Sequence, residues 1–203
     1  MKPIYKYFLF AIIATTLIPF SSCKKGANDP FLSLSSRKGR LEGTWKLTAQ
    51  TYKSSEVQGN TTTTKEYTYD GANMTIVTTM KIGNAAEVKN TFKYSYTESI
   101  TFTKENTYVK TEVESGATTI TDGSWAFLGK DKGADLKKKE AIVMHSTKTT
   151  MGSAVSKSGK TENPETKVLD KLTKSEMVVT INELNDQGAT NTKSTIGSST
   201  YTQ

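Results

Sequence analysis

The feature that most constrains this chain is a two-residue alternation of apolar and polar side chains. Its clearest example is the stretch RLEGTWKLTAQTY, residues 40–52. One parity of this stretch carries Leu41, Gly43, Trp45, Leu47 and Ala49, whereas the other carries the polar residues Glu42, Thr44, Lys46, Thr48 and Gln50. A period of two is typical of a strand with one face on a core and the other in water. We therefore predict a β-strand whose apolar parity faces inward.

The same pattern recurs along most of the chain. Strand candidates occupy residues 41–52, 62–69, 74–82, 91–103, 108–114, 118–128, 140–150, 176–184 and 190–201. Turn sequences such as DGAN and NDQG separate several of them. Residues 151–167 are predicted as a polar loop or hairpin tip, and residues 167–177 (KVLDKLTKSEM) as a helical or tight-turn piece. Strands in this number with short links predict an all-β antiparallel fold, either a sandwich or a closed barrel.

The N-terminus has the features of an export signal. Lys2 and Lys6 precede the apolar run YFLFAIIATTLIPF, which is shorter than the roughly 20 residues that a transmembrane helix needs. The run leads through two serines into Cys23, the only cysteine of the chain. This arrangement resembles the lipobox of bacterial lipoproteins, in which the cysteine carries a diacylglycerol. An ordinary signal peptide followed by an incidental cysteine is the alternative.

The lipobox resemblance implies three segments. These are a lipoprotein signal peptide at residues 1–22, a lipidated tether at residues 23–39 and a folded β domain at residues 40–203. Acyl chains would hold the protein on a membrane rather than across it. The expected location is the outer membrane of the cell envelope, with the periplasmic and surface leaflets both open.

The charge of the chain gives little reason to expect a nucleic-acid partner. The formal net charge is +7, and all but two of the cationic side chains are lysines. A nucleic-acid site would need arginines and aromatic rings gathered on one patch. Lysines that alternate with threonines along strands instead indicate a solvated surface, which also protects sheet edges.

The sequence LEGTWKL resembles the Gly-x-Trp motif that opens the first strand of lipocalins, and it is similar to that of the lipocalin-like lipoproteins of Bacteroidetes. The resemblance implies an up-and-down barrel of eight strands, or nine, in which Trp45 closes one end and Gly43 allows a tight backbone approach. A second Gly-x-Trp, at Gly123 and Trp125, is similar; a turn glycine followed by a core aromatic explains it nearly as well. The basic residue that packs on the first tryptophan in lipocalins would have to be Lys193.

A search of the sequence for catalytic groups finds few candidates. His145 is the only histidine, and it lies in a strand where its facing is ambiguous. A zinc site is not expected, since one histidine and no spare cysteine fall short of the usual ligand set. We therefore predict no enzymatic activity, no metal and no cofactor.

A dense set of aromatic side chains points instead to binding. Tyr94, Tyr96, Glu98 and Phe102 share the apolar parity of one strand, and we predict that they contact a ligand. Glu98 either faces inward, toward a cationic or hydroxylated ligand, or is turned to water by a bulge. A cavity lined by tyrosines would suit a small apolar or amphipathic molecule. If the rings fill the barrel completely, the alternative is an interaction module for an envelope protein or a glycan.

Overall fold

The computed structural model describes residues 36–128, 140–157, 164–186 and 191–203. Cys23, the predicted signal peptide and nearly all of the predicted tether lie outside the described residues. The described part contains one short helix, α1 (Arg37–Leu41), and eleven strands. The strands are β1 (Gly43–Gln58), β2 (Thr61–Tyr69), β3 (Asn73–Ile82), β4 (Val88–Phe102), β5 (Thr107–Glu114), β6 (Ala117–Leu128), β7 (Glu140–Met151), β8 (Ala154–Lys157), β9 (Glu165–Leu172), β10 (Glu176–Asp186) and β11 (Asn191–Thr202).

The strands form a closed antiparallel barrel. Strands β1 to β7 pair in the order of the sequence. The ring then continues from β7 to β9, from β9 to β10 and from β10 to β11, and β11 closes it by pairing with β1. Strand β8 lies outside the ring and pairs only with the C-terminal residues 148–151 of β7. The prediction of an all-β antiparallel barrel is confirmed, but the strand count is wrong, because the ring contains ten strands rather than eight or nine.

Strand β9 accounts for part of the difference, because its sequence imitates a helix. Leu169 and Leu172 are both fully buried although they are three residues apart. The register against β10 shifts between Leu169 and Lys171, so that Asp170 is an extra residue. A bulge of this kind turns the spacing of inward residues from two to three. The prediction of a helical or tight-turn piece at residues 167–177 is therefore wrong over β9, and the tight turn is confined to the residues between β9 and β10.

A second bulge lies in β1. The pairing with β11 shifts between Leu47 and Ala49, so the inward parity changes from odd to even residue numbers. Trp45 and Leu47 are buried as predicted, whereas Ala49 is exposed, contrary to prediction. Beyond the bulge Tyr52 faces inward instead.

The ring has different widths at its two ends. We call the end that holds the two tryptophans the tryptophan end, and the opposite end, where β1 turns into β2, the hairpin end. At the tryptophan end residues 43–46 of β1 pair directly with residues 99–102 of β4. Farther along, β1 and β4 separate, and the β2–β3 hairpin fills the gap between them. The ring thus has eight strands at the tryptophan end, and insertion of the β2–β3 hairpin brings the total to ten.

The main core fills the tryptophan end. Leu41 of α1 and Trp45 are fully buried, together with inward side chains from β4 to β11, among them Ile100, Phe102, Trp125, Ile142, Met144, Leu169, Leu172, Met177 and Tyr201. Helix α1 covers this end: it begins at the N-cap Ser36, whose Oγ accepts a hydrogen bond from Gly39 N at 3.0 Å. Arg37 forms an ion pair with Glu140 at the start of β7. The helix thus joins the last predicted tether residues to the barrel.

Candidate functional site

A cavity of about 590 Å³ lies inside the barrel, between the core and the hairpin end. Strands β1, β4, β5, β9, β10 and β11 supply its walls. Its polar lining consists mainly of Gln50, Tyr52, Glu98, Lys110, Glu112, Glu165, Lys167, Ser199 and Tyr201. Five of these side chains are glutamates or lysines, so the interior is charged rather than uniformly apolar.

Glu98 is at the centre of a hydrogen-bond network in this cavity. Tyr201 donates its hydroxyl to Glu98 Oε1 at 2.7 Å, and the Tyr96 hydroxyl lies 2.9 Å from Glu98 Oε2. Burial raises the pKa of both tyrosines above the ordinary value, and the neighbouring carboxylate raises it further. Both phenols therefore stay protonated and can donate to Glu98 at any physiological pH.

A second carboxylate lies directly across from the first. Glu98 of β4 pairs with Glu112 of β5 in the strand register, and Glu112 Oε1 is 3.1 Å from the same Tyr96 hydroxyl. Like charges at directly opposed positions of an antiparallel pair destabilise a sheet. The Tyr96 hydroxyl has one proton to share between the two carboxylates, so it satisfies only one of them at a time.

Two lysines balance part of this negative charge. Lys110 lies 3.1 Å from Glu112, and Lys167 lies 2.6 Å from Glu165. Burial alone would lower the pKa of each lysine, but the nearby carboxylates outweigh it, and the pKa of both stays above the ordinary value. For Glu165 burial acts to raise the pKa, and the ammonium of Lys167 outweighs it and lowers the pKa. Both lysines and Glu165 are thus charged at neutral pH.

An aromatic strip continues from the cavity toward the hairpin end. It comprises inward-facing side chains of β1 to β4: Tyr52, Tyr67, Met80, Val88, Phe92 and Tyr94. The rings of Tyr52 and Tyr67 stack with centroids 4.0 Å apart, and Phe92 and Tyr94 are in contact at 5.4 Å. Because the β5–β6 hairpin ends opposite Tyr96, no described strand covers the end of the strip, and Phe92 is 62% exposed.

The structure brings together three of the four predicted ligand-binding residues. Glu98 lines the cavity, and Tyr96 lies beside it and bonds to Glu98. Tyr94 lies next toward the hairpin end, with its ring centroid 6.3 Å from that of Tyr96. Glu98 faces inward, so the alternative of a bulge at this position is wrong. Phe102 lies elsewhere: it is buried in the core at the tryptophan end, where its ring is 5.7 Å from that of Trp125.

Both Gly-x-Trp sequences lie at the tryptophan end and have packing roles there. Gly43 has a φ of +126°, a conformation that side chains other than glycine rarely adopt. Trp45 is fully buried, and its Nε1 donates to Leu41 O at 2.7 Å. At Gly123 an added Cβ would lie 2.2 Å from His145 O and 2.5 Å from Cε1 of Tyr108, so only glycine allows this close approach.

The basic residue predicted to pack on the first tryptophan is not found there. Lys193 pairs with Glu56 near the hairpin end, whereas Trp45 lies at the other end of β1. That part of the lipocalin resemblance is therefore wrong. Among the described residues a cation does approach the second tryptophan, since Lys38 Nζ of α1 lies 6.0 Å from the Trp125 ring.

Sequence reasoning missed four of the charged side chains in the cavity. Lys110 and Glu112 share the parity of the buried Tyr108 on β5, and that parity could have revealed them. Glu165 and Lys167 lie in residues 151–167, where the sequence predicts a polar loop or hairpin tip and the structure has the start of β9. Tyr201 falls in a strand with too few apolar residues to indicate its inward face.

Other chemistry is sparse in the part of the chain that the structure describes. His145 is exposed on β7 and pairs across the sheet with Ser124. No group of three or more His, Cys, Asp or Glu side chains in the described ranges is placed to hold a metal ion. None of the described helices has the length and apolarity needed to cross a membrane.

Comparisons with known proteins add no family. No protein-family model matches this chain, and no curated protein matches it either.

Proposed function

We propose that this protein is a lipoprotein of the outer membrane whose barrel binds a small amphipathic molecule without transforming it. The observation that carries the proposal is the continuity between a charged cavity of about 590 Å³ and an exposed aromatic strip. A ligand of mixed character can place a polar group in the first and an apolar body along the second. A purely apolar ligand fits less well, because it would displace solvent from the charged lining and offer it no polar partner in exchange.

The cavity residues also argue for binding rather than structure. A barrel interior that served only stability would gain more from apolar side chains, since buried ion pairs contribute little net stability. Opposed carboxylates such as Glu98 and Glu112 cost stability outright. Arrangements that cost stability are typical of sites where a ligand supplies the missing partner.

Native mass spectrometry tests this proposal. The chain would carry Cys23→Ser, which prevents lipid attachment and allows purification from its own host without detergent. We expect a bound small molecule that is lost on denaturation. The matched control is Ser199→Phe, which fills the cavity from the wall of β11; it should be purified without the bound mass.

The membrane anchor is tested separately. Cells that express the wild-type chain are grown with an alkyne-labelled fatty acid, and the protein is examined for the label. Incorporation into the wild type and its absence in Cys23→Ser would support the lipoprotein assignment. An unlabelled wild type would favour the ordinary signal peptide.

A second candidate function is an interaction module for an envelope protein or a glycan. The exposed apolar side chains at the hairpin end favour it, because Ile82, Val88 and Phe92 are each more than half exposed. A clean unliganded mass, with no stabilisation by any added amphiphile, would turn the assignment toward this second function.

A further inference from the structure

We propose that the cavity selects amphiphiles with a cationic head group, such as a primary alkylammonium, and that Glu98 is the residue that pairs with the cation. This inference rests on the proposed function, since it assigns the chemistry of the same site. It concerns the sign of the ligand's charge and the direction in which the ligand enters.

Among the described residues, no ammonium group lies within ion-pair distance of Glu98, and Lys110 and Lys167 act on it only at longer range. Three carboxylates and two ammonium groups line the cavity. Each lysine forms an ion pair with a carboxylate, Lys110 with Glu112 and Lys167 with Glu165. Glu98 has no ion-pair partner among the described residues; its contacts are the phenols of Tyr96 and Tyr201.

The phenols hold the Glu98 carboxylate in place without neutralising it. A carboxylate can accept about four hydrogen bonds, so two phenol donors leave acceptor capacity toward the cavity. Its cross-strand neighbour Glu112 adds a second negative charge at the same level of the barrel. An ammonium group with three donors could bond to the Glu98 carboxylate and lower the repulsion between the two carboxylates.

An anionic head group fits this cavity poorly. It would enter beside Glu98 and Glu112, and the charge of each lysine that it could reach is already balanced by a carboxylate, Glu112 for Lys110 and Glu165 for Lys167. The lining has one more carboxylate than ammonium groups, so the field in the cavity also opposes an anion.

The aromatic strip sets the direction of the ligand. Tyr96 bonds to Glu98, Tyr94 follows on the same face of β4, and the exposed Phe92 and Val88 come next toward the hairpin end. The head group therefore enters first, and the apolar tail stays near the opening. This is the reverse of a cavity that buries the tail and leaves the head group in water.

The test compares three probes with the same tail: decylammonium, decanoate and 1-decanol. Binding to the full chain carrying Cys23→Ser is measured by titration calorimetry at pH 7, below the micellar range of each probe. We expect decylammonium to bind at least about tenfold more tightly than decanoate, since reversing the charge of one partner in a desolvated pair costs that much or more. In Glu98→Gln the affinity for decylammonium should fall by at least about 30-fold, whereas that for decanol should change little.

A stability measurement, one further variant and a control separate a binding role from a structural one. Glu98→Gln removes one of two opposed charges, so its thermal stability should equal or exceed that of the parent; a purely structural Glu98 would instead lower stability and leave probe affinity unchanged. Lys110→Gln should strengthen decylammonium binding. The matched control is Glu66→Gln, an ion-paired glutamate on the outer face, which should leave all affinities unchanged.

The outcomes distinguish this inference from the function on which it rests. A preference for decanoate, or an unchanged affinity for decylammonium in Glu98→Gln, would overturn the cationic assignment while the carrier function stands. If none of the three probes binds to the parent chain, both proposals fail together.

Discussion

The two tryptophans at the tryptophan end of the barrel have different surroundings. Trp45 is fully buried, and its one polar atom is satisfied by Leu41 O of α1. Trp125 packs edge-to-face against Phe102 and Phe127, at centroid distances of 5.7 Å and 5.5 Å. Trp45 thus connects helix α1 to strand β1 through its hydrogen bond, whereas Trp125 packs among aromatic side chains inside the barrel. The large indole rings of Trp45 and Trp125 make both residues main contributors to the core.

Replacing the first tryptophan should therefore be costly. We expect Trp45→Ala to lower the free energy of unfolding by about 3–5 kcal/mol, because it opens a large cavity. The loss of the Nε1 hydrogen bond frees Leu41 O as well. Urea denaturation followed by circular dichroism measures the change, and Lys46→Ala, on the exposed face of the same strand, is the control. A midpoint like that of the wild type would show that Trp45 is not central to the core.

At the same scale, Glu98 shows how far sequence reasoning can reach. The parity of its strand allows a carboxylate inside the barrel or, at a bulge, one in water, and the structure shows the first of these. Its partners could not be predicted, because Tyr201 lies 103 residues away in sequence and Glu112 lies on another strand. Which side chains meet depends on strand register, and register is set by turns and bulges that leave weak sequence signals.

At the scale of the strand, the two bulges decide which residues face the cavity. Strand β1 changes its inward parity between Leu47 and Ala49, and β9 changes it around Asp170. Alternation predicted the first half of β1 correctly and failed beyond the bulge. In β9 the same irregularity made a strand look helical. Periodicity therefore identifies the regularly alternating strands, but it misses β9 and gives the facing of a strand only up to its first bulge.

The bulge in β1 can be tested with a pair of lysine substitutions. Ala49→Lys should change the free energy of unfolding by no more than about 0.5 kcal/mol, since residue 49 is exposed. Leu47→Lys places a charge in the core and should cost about 3 kcal/mol or more. Urea titrations of the two variants are compared directly. Equal losses would mean that the alternation continues through residue 49.

The turn between β2 and β3 depends on one carboxylate. Asp70 accepts hydrogen bonds from the backbone N–H groups of Asn73 at 2.8 Å and Ala72 at 3.1 Å. Lys93 Nζ approaches the other carboxylate oxygen at 3.3 Å. Bonds from backbone donors stabilise the charged form, and together these contacts lower the pKa of Asp70 to about 2.

This turn gives a prediction with a defined pH window. Because the folded pKa of Asp70 is below the unfolded value of about 3.9, its stabilising effect is complete above pH ~4 and is lost as the pH falls toward 2. Carbon-detected NMR titration of the folded chain should give a pKa of about 2 for Asp70. Lys93→Met should leave that pKa well below 3.9, since the backbone donors have the larger effect. A return to the ordinary value in this variant would assign the shift to Lys93 instead.

At the scale of the whole molecule, the barrel is an eight-stranded ring widened by one hairpin. Near the tryptophan end β1 and β4 are direct neighbours, with Trp45 opposite Ile100. The β2–β3 hairpin separates them beyond that point and adds Tyr67 to the aromatic strip. The eight strands that the lipocalin resemblance implies thus match the ring at one end only. The widening could not be predicted from pattern, because β2 and β3 alternate like every other strand.

Removing the hairpin should leave a narrower barrel that still folds. If residues 59–87 are replaced by an Asn-Gly turn, β1 and β4 can continue the pairing that they already make at the tryptophan end. Allowing for the bulge in β1, Tyr52 would lie opposite Tyr94, so the inward faces stay matched. The variant loses the buried Tyr69 and Met74, and we expect a lower free energy of unfolding and a smaller urea m-value than the parent. Amide dispersion in NMR spectra and a single cooperative urea transition would identify the eight-stranded barrel. An unfolded variant would instead show that the hairpin is needed to close the ring, because β1 and β4 cannot pair along their whole length without it.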